Sequence, residues 1–388
     1  MHVYFVNYHH FEGSSGIHIH FLANALERLG VRCTACVPRV AGHVFNCGSP
    51  RYDVIGFSAL KRKFLFGGGA LRKEGAILHA WTPREVVRSC VDAVGKRAGI
   101  PYFVHLEDNE QLVFETHMGV SPEDVGQLSW LRRMRMPRAF IHPARYRKFI
   151  ANAAGVTCIM DSLETGVPES VPAMTFWPSC EPEIFDLPVT PDLGVRRSLG
   201  IPESSIVLTY TGNVHAANLG EVKTLYAGIA ELNSRGRDVR LLRCGATHAG
   251  MDEDVKQASA PFVVELGSLP PQELVRYLAG ADILVQPGKP DRFNDFRFPS
   301  KVPMFLASGR PVLLPATNIG RHLEHGKECL LLRNGTVEEL VQSVERLIAA
   351  PALRKEIGAA GRMFARTHLS WEKSAKNVLS FYERCLHE

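Results

Sequence analysis

The sequence lacks the features of several large protein classes. Its 388 residues carry a net charge of only +5, whereas nucleic-acid-binding proteins usually present a denser basic face, so we expect no nucleic-acid partner. No segment reaches the roughly 20 apolar residues that a membrane-spanning helix needs. Low-complexity tracts and repeats of fixed period are absent as well. What is left is an ordinary globular chain, long enough for two domains.

Cysteine usage argues against a disulfide-stabilised protein, and the first residues argue against a signal peptide. The nine cysteines are an odd number scattered through apolar runs, which indicates buried thiols in a reducing compartment and not a disulfide framework. Cys33 and Cys36 form one C-x-x-C inside a strand-like run without a second pair, so we interpret them as core residues. Residues 1–10 lack the charged start, apolar stretch and cleavage site of a signal peptide. We therefore expect a cytoplasmic protein whose membrane contact is at most peripheral.

Strand, loop and helix patterns alternate along the whole chain, which predicts an α/β fold with two doubly wound, Rossmann-like parallel sheets. Apolar segments predict these strands: 3–7, 32–37, 76–80, 102–106, 156–160, 174–177, 206–211, 239–244, 262–266, 283–286, 311–314 and 329–331. Residues 178–202 contain five prolines, counting both end residues, and this composition indicates a linker. We accordingly predict domains over 1–185 and 186–368, followed by a C-terminal segment over 369–388.

The most informative segment runs from Phe298 to Val312 and reads FPSKVPMFLASGRPV. Ser300 predicts a capped helix start, and Gly309 predicts the end of that helix before a buried strand. Lys301 and the first-turn amides would form an anion site, to which Arg297 adds a second cation. A diphosphate suits such a site, and a capped helix with a solvated lysine is the alternative.

A glycine-rich loop, EGSSG, follows the first predicted strand at residues 12–16. Gly13 and Gly16 would let the backbone approach a ligand, and Ser14 or Ser15 could cap the next helix or bind a phosphate oxygen. The spacing is not G-x-G-x-x-G, which disfavours a nicotinamide dinucleotide. A simple strand-to-helix turn is the alternative.

Polar side chains follow the third and fourth predicted strands, at the sheet edge where open parallel sheets bind ligands. They are His79, Trp81 and Arg84, and then His105, Glu107, Asp108 and Asn109. His105 or Glu107 could act as a general base near neutral pH if burial shifts its pKa. A polar loop that caps the next helix is the alternative.

The second half of the chain has its own signals at strand ends. Gly212 and Gly245 would permit close approach of the backbone to a ligand, while Asn213 and the more distant Lys223 could bind phosphate or sugar. Backbone amides in the turn that ends at Leu269 could contact a nucleobase, although a turn without a ligand is equally compatible.

Residues 131–148, LRRMRMPRAFIHPARYRK, contain many cations and no acids, interleaved with apolar side chains. Such a surface could bind an anionic membrane or an acceptor phosphate. Simple solvation of the charges is the alternative.

These motifs together resemble the GT-B glycosyltransferases, in particular the retaining glycosyltransferase family 4. The resemblance extends from the glycine-rich loop through TGN, ADILVQPG and FPSKVPMFLASGRPVLLP to HGKECLLLRNGTVEEL and LSWEKSAKNVLSFYERC. It implies two domains facing a central cleft, with the C-terminal helix returning to the first domain. It also implies transfer of a sugar, without metal or cofactor and with retention, from a nucleotide-sugar donor to a glycan, lipid-linked or other hydroxyl acceptor.

The resemblance also suggests roles for individual residues. Lys301 and Arg297 would neutralise the leaving diphosphate, assisted by Ser300, Asn213 and Lys223. Either Glu107 or His105 would orient the acceptor, and Asp108 is a further catalytic candidate in this loop, where the family has a His-Asp pair.

Departures from the family pattern leave alternatives open. Asn213 and Lys223 stand in the region where the family has an Arg and a Lys. Phe296 and Met304 replace two glutamates, the later of which binds the donor ribose, and three residues are candidate substitutes: Asn294, Asp295 and Glu324. A sugar-nucleotide epimerase of similar fold and a non-catalytic scaffold subunit are the two alternative functions.

Overall fold

The computed structural model describes residues 1–10, 13–40 and 48–387, except for a few side chains inside helices. It divides into two compact units. The first domain comprises Met1–Pro178, Phe296–Phe298 and Trp371–Glu388, and the second comprises Ser179–Asp295 and Pro299–Ser370. The first division falls shortly before the predicted boundary at residue 185. The first domain is therefore assembled from three separate stretches of chain.

The first domain contains a seven-stranded parallel sheet of order β3-β2-β1-β4-β5-β6-β7. Its strands are β1 His2–Asn7, β2 Arg32–Val37, β3 Asp53–Gly56, β4 Ala76–Trp81, β5 Tyr102–Leu106, β6 Gly155–Cys158 and β7 Ala173–Thr175. Its helices are α1 Ser14–Arg28, α2 Phe57–Lys73, α3 Glu85–Ala98, α4 Glu110–Met118, α5 Trp130–Met134, α6 Tyr146–Ala151 and the C-terminal α14 Trp371–His387. The order reverses between β1 and β4, which is where such sheets leave a crevice for ligands.

The second domain contains a six-stranded parallel sheet of order β10-β9-β8-β11-β12-β13. Its strands are β8 Ile206–Thr211, β9 Val239–Cys244, β10 Val263–Glu265, β11 Ile283–Val285, β12 Val312–Pro315 and β13 Leu330–Leu332. Its helices are α7 Leu193–Ser198, α8 Leu219–Ser234, α9 Glu253–Ser259, α10 Pro271–Ala279, α11 Val302–Ala307, α12 Val337–Ala349 and α13 Pro351–His368. Here the order reverses between β8 and β11.

Helix α14 belongs to the core of the first domain. Trp371, Phe381 and Tyr382 are buried in the same apolar cluster as the strand residues Phe5 and Phe103. Gly155 in β6 makes room for this packing, because a Cβ there would lie 2.8 Å from the Phe381 ring. The C-terminal segment thus completes the layer of helices on this sheet.

Three local features differ from the sequence predictions. Strand β3 was not predicted, because four residues at the sheet edge carry only a short apolar pattern. Helix α7 lies inside the predicted linker, where the Asp192 side chain accepts hydrogen bonds from the Gly194 and Val195 amides at 2.8 and 3.2 Å. Ser300 is exposed and does not cap α11, since Lys301 occupies the N-cap position and no side chain caps the helix.

Among the described residues, no helix combines the length and apolar character that crossing a membrane requires.

Candidate functional site

Glu107 is the centre of a polar cluster at the carboxyl end of the first-domain sheet. It follows β5, and its carboxylate accepts a hydrogen bond from the Ser15 hydroxyl. The His18 Nδ1 atom lies 3.1 Å from the other carboxylate oxygen. Burial alone would raise the pKa of Glu107, but the hydrogen bond and charge of His18 outweigh it and lower the pKa to about 2. Glu107 is therefore an ionised carboxylate held in place by two residues of α1.

His105 is buried in β5 beside this carboxylate. Its ring lies between those of Trp81 and Phe176, with centroid distances of 4.1 and 5.1 Å, and its Nδ1 is 2.8 Å from Thr157 Oγ1. Burial lowers the pKa of His105 to about 3, although the charge of Glu107 opposes that shift. Neither His105 nor Glu107 thus has the near-neutral pKa that the predicted general base would need.

Asp108 is the carboxylate of this loop whose pKa lies near neutrality. Burial and the neighbouring charge of Glu110 raise the pKa of Asp108 to about 7, although Arg297 opposes the shift. The side chain is 34% exposed, and one of its oxygens lies 3.9 Å from Arg297 Nε. Arg84, in turn, binds Glu110 at 2.9 Å. Of the two carboxyl groups in this loop, Glu107 and Asp108, Asp108 better suits proton transfer near pH 7.

The ends of β4 and β5 also carry three buried polar atoms without a hydrogen-bond partner among the described residues. They are Trp81 Nε1, Thr82 Oγ1 and His105 Nε2. Thr82 has a φ of +78°, which is unusual for a β-branched residue, and its amide donates to the His105 carbonyl at 3.0 Å. Unsatisfied polar atoms and backbone strain tend to occur together at functional sites.

The glycine-rich loop leads into α1. Gly13 is the N-cap residue, and no side chain caps the helix, so neither Ser14 nor Ser15 has the predicted capping role. Ser14 is exposed, whereas Gly16 is buried in the first turn and Ser15 donates its hydrogen bond to Glu107. Glu12, which belongs to the predicted loop, lies outside the described residues. The described part of the loop therefore contributes mainly to holding Glu107.

Backbone contacts join the strand-end loops of the second domain. The Gly245 amide donates to the Gly267 carbonyl at 2.6 Å, and Gly245 has a φ of +135°. A Cβ on Gly245 would clash with the Gly212 carbonyl. The Asn213 side-chain oxygen accepts from the Ala246 amide at 2.9 Å. In this structure the two predicted glycines and Asn213 bring the loops after β8 and β9 together.

Arg243, which was not predicted, forms hydrogen bonds with the same two loops. It is buried in β9, its guanidinium donates to the carbonyls of Gly212 and Gly245 at 3.1 and 2.8 Å, and it pairs with Glu265 at 2.5 Å. The signal in the sequence was a cation inside an otherwise apolar strand. Such a residue needs partners when buried, but the sequence does not say which.

The remaining predicted donor residues lie around these loops. Lys301 is close enough to Cys244 at the end of β9 for its charge to oppose the rise in that thiol's pKa, which burial brings to about 11. Lys223 on α8 forms an ion pair with Asp252 at 2.8 Å. Leu269 is half-buried in the turn after β10. Lys301 is thus a predicted cation whose charge acts on Cys244 at the end of β9.

The basic segment 131–148 lies on the first domain, next to the exposed start of α5. Trp130 and Leu131 are 61% and 48% exposed. Arg145 and Arg147 pair with the acids Glu85 and Glu123 of neighbouring segments. Part of the positive charge is therefore neutralised locally.

In the described part of the chain, no three His, Cys, Asp or Glu side chains are grouped in a way that could hold a metal ion.

Comparisons with known proteins agree with this architecture. The Glycosyl transferase-like family profile matches residues 235–380. Sucrose-phosphate synthase from Thermosynechococcus elongatus superposes with a TM-score of 0.71 at 16% identity, covering 100% of this chain and 99% of that one. Anabaena HepE in complex with UDP and glucose superposes with a TM-score of 0.67 at 12% identity, covering 98% and 99% of the two chains. The protein has the GT-B fold.

Sequence relatives of this GT-B protein are glycosyltransferases. The D-inositol 3-phosphate glycosyltransferase of Thermobifida fusca is 28% identical over 205 residues, which are 50% of this chain and 45% of the relative. The chain thus spans less than half the length of the curated relatives that it matches. The predictions of a GT-B fold and of a relationship to glycosyltransferases are confirmed.

The positions at which this GT-B protein departs from the family pattern can now be located. Met304 is buried in α11, and Phe296 belongs to the short stretch assigned to the first domain. Arg297, in the same stretch, pairs with Asp108, a partner that the sequence did not predict. Glu324, one candidate substitute for the ribose carboxylate, is exposed and pairs with Lys327 at 2.9 Å.

The other two candidate substitutes belong to a partly buried polar cluster of the second domain. Asn294 donates to the Glu221 carboxylate of α8 at 2.6 Å, and Asp295 accepts from the Thr317 hydroxyl. Asn318 is buried at φ +44° and donates to the Asn294 carbonyl at 3.2 Å. Glu221 was not predicted, because its position on the helix after β8 gives no local sign of contact with residue 294.

Proposed function

We propose that this protein is a glycosyltransferase that moves a sugar from a nucleotide-sugar donor to a hydroxyl of a glycan or lipid-linked acceptor. The observation that carries the proposal is the placement of the polar clusters: in each GT-B domain they follow the carboxyl ends of parallel strands, where open sheets bind ligands. Two comparisons support it. The curated relatives are named D-inositol 3-phosphate glycosyltransferases, and the HepE structures contain UDP, UDP-glucose, or UDP and glucose.

The donor diphosphate is assigned to Lys301 and to the joined loops after β8 and β9. Lys301 supplies a positive charge next to the end of β9, and the two glycine-containing loops offer backbone amides. Charge stabilisation of the leaving diphosphate would then come from the protein without a divalent metal. Ser300 and Lys223 remain candidate contacts, although Lys223 would have to exchange its ion pair with Asp252 for one with phosphate.

The donor ribose is assigned to Glu221, in place of the glutamate that Met304 replaces. The Glu221 carboxylate is fixed by Asn294, and carboxylates are suitable acceptors for the two hydroxyls of a ribose. Asn294 and Asp295 would then support the site through Glu221 and Thr317.

The acceptor hydroxyl is assigned to the loop after β5. Glu107 is ionised and has lone pairs beyond those used by Ser15 and His18, so it can accept a hydrogen bond from the acceptor. Asp108, with its pKa of about 7, can take up a proton as the acceptor attacks. Retention of configuration is expected from the family, with the leaving phosphate assisting the deprotonation.

A panel of nucleotides tested by thermal shift, with and without EDTA, examines the proposal. A nucleotide at 100 times its dissociation constant should stabilise the protein by about 2.7 kcal/mol. Each sugar conjugate of the nucleotide that binds most tightly is then incubated with the protein, and release of the free nucleotide is measured. A shift that persists in EDTA supports the proposal, and absence of a shift with every nucleotide would favour a scaffold subunit. Conversion of the sugar nucleotide to an isomer without an acceptor would favour an epimerase.

A peripheral membrane contact is part of the proposal if the acceptor is lipid-linked. Segment 131–148 combines cations with the exposed Trp130 and Leu131 at its start, the composition of an interfacial surface. Contact through this surface would place the protein at the inner face of the cytoplasmic membrane.

A further inference from the structure

A continuous chain of hydrogen bonds runs through the first domain from the C-terminal helix to the candidate acceptor site. Tyr382 of α14 lies 2.6 Å from Nδ1 of His79 in β4, and Nε2 of His79 lies 3.0 Å from Oγ1 of Thr157 in β6. The same Oγ1 lies 2.8 Å from Nδ1 of His105 in β5. All four side chains are fully buried. We call these four residues the histidine chain.

Both histidines of the chain are neutral near pH 7, because burial lowers the pKa of His79 far below its usual value and that of His105 to about 3. Each ring therefore carries one N–H and one acceptor nitrogen. Which nitrogen carries the proton is set by the partners of that ring.

Tyr382 sets the direction of the bonds. Its hydroxyl has one proton, and His79 Nδ1 is the acceptor that the described residues provide. If the tyrosine donates, the His79 proton must be on Nε2, which then donates to Thr157. The single proton of the threonine hydroxyl is left for Nδ1 of His105. The opposite direction would leave the buried tyrosine proton without an acceptor, which is unfavourable.

The histidine chain ends in an N–H group at the candidate acceptor site. With Nδ1 of His105 accepting, the His105 proton is on Nε2, a buried atom without a partner among the described residues. Glu107 and His18 act electrostatically on the His105 ring, which also interacts with the Thr157 backbone. Trp81, which is paired with His105 in the register of β4 and β5, has a second buried N–H without a described partner.

We propose that the histidine chain fixes His105 as an Nε2–H donor, and that Tyr382 is a positioning residue for the acceptor hydroxyl. His105 Nε2 is buried, so a hydroxyl that accepts a hydrogen bond from it would have to enter the polar cluster, where it could donate one to the ionised Glu107 at the same time. This pairing of a donor and an acceptor suits a sugar or polyol hydroxyl, whereas a phosphate or carboxylate oxygen would be repelled by Glu107. The role of Tyr382 in binding a hydroxyl rests on the proposed function, but the tautomer of His105 does not.

Nuclear magnetic resonance of protein labelled with ¹⁵N in histidine tests the tautomer directly, since Nδ1–H and Nε2–H rings give different long-range ¹⁵N–¹H patterns. The His105 signals are assigned with a His105→Gln variant. We expect Nε2–H at both His79 and His105 in the wild type. Tyr382→Phe removes the hydroxyl that donates to His79 Nδ1, so Nδ1–H forms should appear at both His79 and His105. Thr157→Ser keeps the hydroxyl and should preserve the wild-type ¹⁵N–¹H pattern. Thr157→Val removes the hydroxyl and should change the ¹⁵N–¹H pattern of His105.

Tyr102→Phe is the matched control. Tyr102 is in the same domain and its hydroxyl donates to the Phe149 carbonyl at 2.7 Å, outside the histidine chain. It should leave both histidine patterns unchanged. A wild-type His105 with its proton on Nδ1, or a folded Tyr382→Phe variant with unchanged tautomers, would overturn the proposal. If Tyr382→Phe does not fold, the wild-type spectrum and the two Thr157 variants decide the question.

Kinetic measurements then test the proposed function independently of the tautomer of His105. Loss of one neutral hydrogen bond should lower kcat/KM for the acceptor by roughly 3- to 10-fold in Tyr382→Phe and leave the donor KM unchanged. If tautomers change and acceptor kinetics do not, Tyr382 is not a positioning residue. If no transfer is found with any donor, the proposed function fails while the tautomer result still stands.

Discussion

Lys301 is the residue on which the donor proposal depends most. Replacing it with alanine removes a charged hydrogen bond to the diphosphate, which is worth roughly 1.5–3 kcal/mol, so we expect kcat/KM for the donor to fall roughly 10- to 100-fold. The measurement is steady-state transfer with the donor that the nucleotide panel identifies. Lys327→Ala is the matched control, because Lys327 is 61% exposed and pairs with Glu324. Wild-type turnover by Lys301→Ala would exclude the assigned role.

The raised pKa of Asp108 predicts how the stability of the protein depends on pH. Its pKa rises from the ordinary 3.8 to about 7 on folding, so between these pH values the folded protein binds more protons than the unfolded chain. The contribution of Asp108 to stability is thus fully present below pH 3.8 and is lost as the pH rises through 7. Asp108→Asn cannot titrate, and it should gain stability relative to the wild type over this range. Melting temperatures of both proteins at pH 5 and pH 8 check this, and a constant difference would contradict it.

At the scale of single residues, the sequence predicted chemistry better than it predicted partners. Glu107 and Asp108 were recognised as candidate site residues because of their place after a strand. The raised pKa of Asp108 comes from burial and the nearby charge of Glu110. The lowered pKa of Glu107, however, depends on contacts with His18 and Ser15, which are far away in the chain. Local pattern gives no access to such contacts.

Among the structural elements, the loops after β8 and β9 offer a sharp test. Gly245→Ala would force a Cβ against the Gly212 carbonyl at a φ of +135°, so we expect the loops to separate and nucleotide binding to be lost or greatly weakened. Nucleotide thermal shift is the measurement. Gly220→Ala, in the first turn of α8 with open space around it, should bind normally and be as stable as the wild type or up to about 1 kcal/mol more stable. Normal nucleotide binding by Gly245→Ala would show that the loop contact is not needed.

Helix α14 can be tested through its first residue. Trp371 is 5% exposed and stacks on Phe21 with a centroid distance of 5.7 Å. Trp371→Ala should therefore destabilise the first domain by about 3–5 kcal/mol, measured by urea unfolding with far-UV circular dichroism. Met363→Ala on α13, where the side chain is 62% exposed, should change stability by less than about 0.5 kcal/mol. Equal effects of the two substitutions would refute the packing role of α14.

The prediction of elements succeeded where a strand is long and buried on both faces, as for β1, β5 and β8, because covered parallel sheets give near-continuous apolar runs. It failed for β3, which is short and lies at the sheet edge. It also failed at the start of α11, where Ser300 suggested a cap that the backbone does not use. Caps and edge strands depend on tertiary context that a local pattern does not contain.

For the molecule as a whole, the positive charge of segment 131–148 predicts binding to an anionic membrane. We expect the protein to co-sediment at low salt with vesicles of equal parts phosphatidylcholine and phosphatidylglycerol, and to be released near 1 M salt, where the Debye length falls to about 3 Å. The double variant Arg132→Glu/Arg135→Glu should bind much less. Lys355→Glu/Lys376→Glu changes the net charge equally on exposed positions of α13 and α14 and is the control. Equal loss in both variants would indicate binding through net charge alone.

The three-part composition of the first domain has a consequence for synthesis on the ribosome. Residues 1–178 emerge before the second domain, but the apolar surface around Phe21 and Phe103 has to wait for Trp371–His387, which is made after the second domain. By then nearly all of the second domain has been made. The domain that begins first is therefore completed last, and a nascent chain stalled before residue 371 would expose the surface that chaperones recognise.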